Sequence, residues 1–395
     1  MFSSAILPPA SEIALKHSHS LQILIRDNIL AAGGWISFEQ FMNLALYAPG
    51  MGYYNSGATK LGSAGDFVTA PEISSLFGRT LAQQVAQVSM ETNPADMLEF
   101  GAGTGKLALD LLLELEKLDA LPRKYLILEV SAELRQRQQI LLNNQVPHLM
   151  HLIEWLQQLP EEFTGVMLGN EVLDAMPVHI VNWQGTTPLE RGVVWQNDRF
   201  AWQDRPIQDA ELRSIAQQLT LQINPNNDNN YSYVSEINLA ADHFIRSLAN
   251  GLQQGIILLV DYGFGRTEYY HPQRNRGTLM CHYRHHAHGD PFYLPGLQDI
   301  TSHVDFSAVS SAAENSALTL LGYTTQAHFL INCDITGILA QTPVENTAHY
   351  LQQTNQLQRL VSPAEMGELF KVIAFGKNFF NPLIGFKGGD MSRLL

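Results

Sequence analysis

At 395 residues the chain exceeds the usual single-domain size, so two domains, or one domain with large insertions, are expected, and a 45% hydrophobic content can fill a core of that size. A net charge of -14, from 38 acidic against 24 basic residues, disfavours nonspecific binding to nucleic acid or anionic lipid. Cys281 and Cys333 are too few for a disulfide framework and lack metal-ligand spacing, and no apolar run reaches membrane-spanning length, so a reducing, cytoplasmic setting without membrane insertion is expected.

Met1 to Ser20 lacks a basic segment followed by an apolar block, so neither a secretory nor a transit peptide is expected. Helical periodicity then runs through Leu21, Leu24, Ile25, Ile29 and Leu30, and again through Phe38, Phe41, Met42, Leu44 and Leu46. Ser37 reads as the N-cap of the second stretch, with Gln40 at the capping-box position. Tyr47 to Tyr54 is turn-rich and aromatic, and Gly57, Gly62 and Gly65 allow a mobile loop before Asp66 and Thr69. Helix resumes through Leu76, Phe77, Leu81 and Val85, so residues 1–95 are expected to form a helical N-terminal region carrying a loop over a site.

Met97 to Phe100 reads as the end of a buried strand, Gly101-Ala102-Gly103-Thr104-Gly105 as a glycine loop, and the leucines from 107 to 115 as the apolar face of the following helix. The three glycines permit positive φ and close approach of a ligand to the backbone. Their spacing, G-x-G-x-G, closes one residue earlier than the dinucleotide fingerprint. Glu99 just before the first glycine suits a cationic ligand, and S-adenosylmethionine carries both an amino group and a sulfonium. A second strand, Tyr125 to Val130, carries Glu129 where a doubly wound fold holds ribose hydroxyls. Glu99, Gly101, Ala102, Gly103, Gly105, Glu129 and Val130 are therefore the candidate cofactor contacts, against the alternative of a generic glycine-rich turn followed by a surface glutamate.

Strand and helix continue to alternate, which argues a parallel, doubly wound sheet. Ala132 to Asn143 reads as helix, His148 to Trp155 as a short third strand, Gly165 to Gly169 as the fourth and Gly255 to Gly263 as the fifth. Trp155, following the third strand, is expected to meet the adenine. Right-handed crossovers would bring Glu99, Glu129, Asn170, Glu171 and Asp261 to one rim. The long connection between the fourth and fifth strands requires an insertion at 179–250, with hairpin character around Trp183, Trp195 and Trp202. The core would then comprise 96–178 and 251–377. Helices are expected around 307–321 and 344–359, strands at Thr325 to Ile331 and Phe370 to Phe375, and a loose tail at 378–395.

Asn170, Glu171 and Asp174 follow the fourth strand and are the candidate catalytic groups, with Asn170 also a candidate cofactor contact. An acceptor nitrogen has to be held in line with the methyl group, about 3 to 3.5 Å away. Carboxylates pair bidentately with a guanidinium and fix its plane. The competing reading makes Glu171 a residue favoured by a helix dipole and Asp174 a local cap. His303, beside Asp299 and Asp305, is a further candidate, equally readable as a structural histidine. The run His282, His285, His286 and His288 reads as a solvated loop, and no metal site is expected.

These motifs together resemble the MidA-like S-adenosylmethionine-dependent methyltransferases, the family of the mitochondrial complex I assembly factor that is a protein arginine methyltransferase. The resemblance is carried by Tyr47 to Tyr54, Gly65 to Ser74, Glu99 to Gly105, Glu129, Gly169 to Val178, Asp261 to Gly263, Asp299 to Phe306 and Met366 to Lys371, and spans nearly the whole chain. It implies a Rossmann-like class I methyltransferase sheet with a helical N-terminal extension and an insertion between the fourth and fifth strands. S-adenosylmethionine is the implied cofactor, with Asp66 and Thr69 added to its contacts. The implied reaction is symmetric dimethylation of an arginine of a protein, a complex I subunit or its bacterial counterpart. Separately from the resemblance, a second copy of the chain is a candidate partner. A binding or assembly protein built on the same fold, and a small-molecule methyltransferase, are the alternatives.

Overall fold

Eight strands form the largest sheet in the computed structural model, which describes residues 7–55, 69–92, 94–343 and 347–395. They are β1 (Asp96–Phe100), β2 (Tyr125–Leu128), β3 (Ile153–Leu156), β4 (Phe163–Asn170), β5 (Leu252–Phe264), β6 (Val304–Asp305), β7 (Thr319–Thr325) and β8 (Phe370–Lys377). Their order is β7-β8-β5-β4-β1-β2-β3, with β6 added to the end of β5. The strands from β3 to β5 run parallel, and β8 is antiparallel to both β5 and β7. Every residue of β1 is buried, as expected for a central parallel strand covered on both faces.

Helices Ser75–Glu91 and Lys106–Lys117 share one apolar cluster with this sheet, built on Leu76, Leu81, Leu111, Leu112 and Leu115 against Met97, Ile127 and Val166. Each fully buried leucine contributes roughly 2 kcal/mol by leaving water. Three hydroxyls start helices here. Ser74 accepts from Leu76 N, Ser131 from Leu134 N, and Thr325 from His328 N.

The chain divides into two compact units. The sheet unit comprises Val68–Leu173, His243–Gly265 and Val304–Leu395, and the other comprises Met1–Phe67, Asp174–Asp242 and Arg266–His303. This corrects the expected boundaries. Helix Ser75–Glu91 belongs to the sheet unit, and 266–303 fold with the N-terminal helices and the 179–242 strands.

In the second unit, Ile36–Ser37, His179–Gln184, Thr187–Gln196, Arg199–Pro206 and Ser232–Ile237 form an antiparallel sheet. Helices Glu12–Ala31 and Phe38–Tyr47 bury Leu21, Ile25, Phe41 and Leu46 in a cluster with Val193 and Phe200. Ser37 caps the second helix by accepting from Gln40 N. The histidine run is a strand pair rather than a loop. Met280–Tyr283 and His286–His288 are joined by Arg284 and His285, both at positive φ, and Asp299–Thr301 pairs with the first of these strands. Among the described residues no group of histidine, cysteine, aspartate or glutamate could hold a metal ion.

Three further expectations are corrected. Residues Pro147–Leu152 form a 3-10 helix, so the third strand is only Ile153–Leu156 and Trp155 lies inside it. Helix Phe306–Glu314 ends early because Ala317 takes positive φ, and the next strand is Thr319–Thr325 followed by helix Gln326–Asn332. The C-terminal segment is not loose. Phe379, Leu383 and Phe386 are buried, and Asn332 Nδ2 donates to the carbonyls of Gly385 and Gly388.

Candidate active site

The parallel register brings the C-terminal ends of β1, β2, β4 and β5 to one rim of the sheet unit. At the end of β1 the backbone turns left-handed at Gly101 (φ 59°), Gly103 (φ 53°) and Gly105 (φ 87°), delivering the chain to helix Lys106–Lys117. A Cβ costs roughly 1 to 2 kcal/mol in that conformation, so three closely spaced glycines are what this turn requires. Gly101 N donates to Leu128 O at 3.2 Å and Gly105 N to Ala102 O at 2.8 Å. Ala102 is buried. The Thr104 hydroxyl donates to Glu72, on helix Ala70–Ile73, which Thr69 precedes. Asp66 lies outside the described residues.

Glu99 is 2% exposed and accepts the Tyr125 hydroxyl at 2.6 Å. Burial pushes its carboxyl up to about 7; the tyrosine bond opposes that shift and the nearby Glu129 adds to it. Glu129 follows β2 and is also buried. One of its oxygens accepts from Ser131 N at 2.9 Å and the other from Gln138 Nε2 at 3.1 Å. Burial raises its carboxyl as well, against these two bonds, the Arg135 charge and the Val130 backbone N–H. A carboxylate has about four lone-pair directions, so acceptor capacity remains for a hydroxyl donor such as that of a ribose. Val130 beside it is 74% exposed, an apolar side chain open to a ligand ring. The Trp155 indole is half-buried and donates to Gln138 Oε1 at 2.9 Å.

At the end of β4, Asn170 Nδ2 donates to Glu171 Oε1 at 3.0 Å, while Asn170 Oδ1 is buried without a hydrogen-bond partner. A buried amide oxygen of that kind is satisfied when a ligand supplies a donor. Glu171 sits at φ 53°, a strained conformation for a residue with a long side chain, fixed by its N–H donating to Val260 O at 2.8 Å. Asp261, on β5 and fully buried, accepts from Leu173 N and from Tyr262 N, each at 2.9 Å. Its carboxylate anchors the turn that carries Glu171.

The sequence profile of the S-adenosyl-L-methionine-dependent methyltransferases designated family 28 matches residues 76–324. The chain belongs to this methyltransferase family. A crystal structure of a Burkholderia thailandensis protein bound to S-adenosyl-homocysteine is 47% identical, covers 98% of this chain and 100% of that one, and superposes with a TM-score of 0.93. Curated relatives are more distant. The protein arginine methyltransferase NDUFAF7 of Danio rerio is 29% identical over 87% of this chain and 83% of its own length, and the Drosophila melanogaster homologue is 28% identical over 93% and 87%. Both are named as mitochondrial.

For a methyltransferase of this family the cofactor is S-adenosylmethionine, and the residues present fit it. The left-handed glycine loop, the remaining acceptor capacity of Glu129, exposed Val130 and the buried Asn170 oxygen are the features that would hold the group. When bound, it supplies a methyl group made electrophilic by its sulfonium.

The other expected site residues lie in the second unit. Asp174 is buried, and its carbonyl accepts from Ser302 N at 3.0 Å, which sets it close to His303 along the chain. His303 is half-buried, and its N–H is held by Thr278 Oγ1 at 3.0 Å. In the same unit the Tyr54 hydroxyl donates to both oxygens of Asp299, at 3.0 and 3.1 Å, and its ring stacks on Tyr47. Burial first, and then the charge of Asp299, raise the Tyr54 hydroxyl well above its ordinary range.

Two residues that sequence reasoning passed over carry much of the candidate site's geometry. Gln138 bonds Gly103, Glu129 and Trp155 at once, and Glu72 holds the loop through Thr104. Gln138 had no local signal, because it stands in the polar run Arg135-Gln136-Arg137-Gln138-Gln139. Glu72 had one, since it lies in the Gly65 to Ser74 segment of the family resemblance.

Proposed function

We propose that this methyltransferase modifies the guanidinium group of an arginine in a protein, with a subunit of respiratory complex I or its bacterial counterpart as the acceptor, and that a second copy of the chain is a candidate partner. The observation that carries the reading is Glu171. Its carboxylate stands on the rim that bears the glycine loop and Glu129, on a backbone held left-handed, with one oxygen fixed by Asn170. A carboxylate there would grip two guanidinium N–H groups and concentrate the positive charge on one side of the acceptor, leaving a lone pair on the other nitrogen. That nitrogen forms the new N–C bond as the S–C bond breaks, the bonding pair remains on sulfur, and the nitrogen's proton passes to a carboxylate or to water. Positioning supplies most of the acceleration in such a transfer. The names of the curated relatives support the arginine acceptor.

Mass spectrometry of complex I subunits from cells with and without the gene tests the proposal. Arginine methylation that disappears on deletion is the expected result. An unchanged methylation pattern would remove complex I as the acceptor.

A further inference from the structure

Helix Ala132–Gln145 is polar along most of its length, yet Gln138 is fully buried, with Leu142 the only other buried residue of the helix. A buried amide has two N–H donors and a carbonyl oxygen to satisfy. Gln138 Nε2 donates to Gly103 O at 2.9 Å and to Glu129 at 3.1 Å, and its Oε1 accepts from Trp155 Nε1 at 2.9 Å. These partners, two acceptors and one donor, admit only one orientation of the amide. Turned over, its oxygen would face a carbonyl and a carboxylate. The loop also rests on this residue, since a Cβ at Gly105 would come within 3.3 Å of Gln138 Cα.

We propose that Gln138 is a positioning residue that locks the middle of the glycine loop, the ribose-binding carboxylate Glu129 and the Trp155 indole into one arrangement before the cofactor arrives. The inference rests on the assignment of the loop and Glu129 as the cofactor site. Gln138 acts through these three groups. Its hydrogen bond orients the Glu129 carboxylate and leaves the remaining lone pairs to the ribose hydroxyls, and its bond to the Gly103 carbonyl holds the turn in its ligand-ready form. Preorganisation of this kind appears in affinity, because ordering that would otherwise accompany binding is already complete.

The test is isothermal titration of the full chain with S-adenosylhomocysteine and with its 2′-deoxyribose analogue. Gln138→Leu removes two donors from acceptors that remain buried and is expected to weaken S-adenosylhomocysteine about 10- to 100-fold. The analogue should weaken much less, so the preference for the intact ribose shrinks. Gln138→Glu keeps the shape but sets an ionised carboxylate against Glu129 and the Gly103 carbonyl. Its affinity should be poor near pH 8 and approach wild type as the new carboxyl is protonated towards pH 6. A residue that merely packs would weaken both ligands by the same factor and give no pH-dependent gap, and either result overturns the proposal. If Gln138→Leu fails to fold, the Gln138→Glu titration decides. Wild-type protein that binds neither ligand would overturn the cofactor-site assignment and this inference with it, whereas wild-type protein that binds while Gln138→Leu binds equally well overturns this inference alone.

Discussion

Replacing Glu99 by glutamine separates the electrostatic cost of this carboxylate from its hydrogen bond. Glutamine keeps an oxygen for the Tyr125 hydroxyl, which Glu99 accepts at 2.6 Å, and removes the buried charge. Burial pushes the Glu99 carboxyl up to about 7 in the folded chain, against 4.5 for a glutamate in water. A folded value raised above the unfolded one means that folding favours the protonated form. The corresponding stability is fully present below about pH 4.5 and is lost as pH rises through about 7. At 1.36 kcal/mol per pH unit the loss approaches about 3 kcal/mol above pH 7. Without cofactor, Glu99→Gln should therefore be more stable than wild type by up to about 3 kcal/mol at pH 8, with the gap closing towards pH 5. Urea denaturation of both proteins across that range measures it. A difference that does not change with pH, or a variant less stable than wild type at pH 8, would show that ionised Glu99 carries no burial cost. A cationic cofactor beside Glu99 favours its ionised form, so binding near pH 7 should release protons, detectable as a buffer-dependent heat.

Gly103→Val places a branched side chain at φ 53° in the loop, and should abolish S-adenosylhomocysteine binding while circular dichroism still reports a folded chain; wild-type affinity would show the loop to be misassigned. Glu171→Gln should leave cofactor affinity within about threefold of wild type and lower transfer to an arginine acceptor by at least about tenfold, given that hydrogen bonds to charged groups carry about 1.5 to 3 kcal/mol. Unaltered turnover would return Glu171 to a structural role. Glu171→Gly relieves the left-handed strain, so it should raise stability by about 1 kcal/mol in urea while eliminating transfer, and a destabilised variant would argue against strain at this position. Leu111→Ala opens a cavity in the fully buried cluster under the sheet and should cost about 2 to 5 kcal/mol in the same assay, whereas a loss below about 1 kcal/mol would mean the site collapses around the smaller side chain.

The central part of the fold was legible because its signals are local. An apolar strand, three glycines and a leucine helix follow one another within twenty residues, and Glu129 stands one residue past a strand of four apolar side chains. The misread segments are those where neighbouring residues point one way and distant contacts the other. Thr325 to Ile331 has the β-branched and apolar composition of a strand, but the Thr325 hydroxyl caps a helix and the strand lies just before it. The turn at Arg284 and His285 contains no glycine or asparagine, so the histidine hairpin gave no turn signal. Gln138 could not be told from its neighbouring glutamines, because burial of one amide in a polar helix is decided by Gly103, Glu129 and Trp155, which lie outside that helix. The division into two units was hidden for the same reason. It depends on pairing between strands such as Ile36–Ser37 and Thr187–Gln196, about 150 residues apart.

Transfer of a methyl group from S-adenosylmethionine to a protein arginine is read directly with an isotopically labelled cofactor. The purified chain is incubated with cofactor carrying a deuterated methyl group and with isolated complex I subunits, and the subunits are then sequenced by tandem mass spectrometry. A deuterated methyl should appear on an arginine side chain with wild-type protein, and at least about tenfold less of it with Glu171→Gln. Label on a residue other than arginine, or no label while S-adenosylmethionine binds, would contradict transfer to arginine.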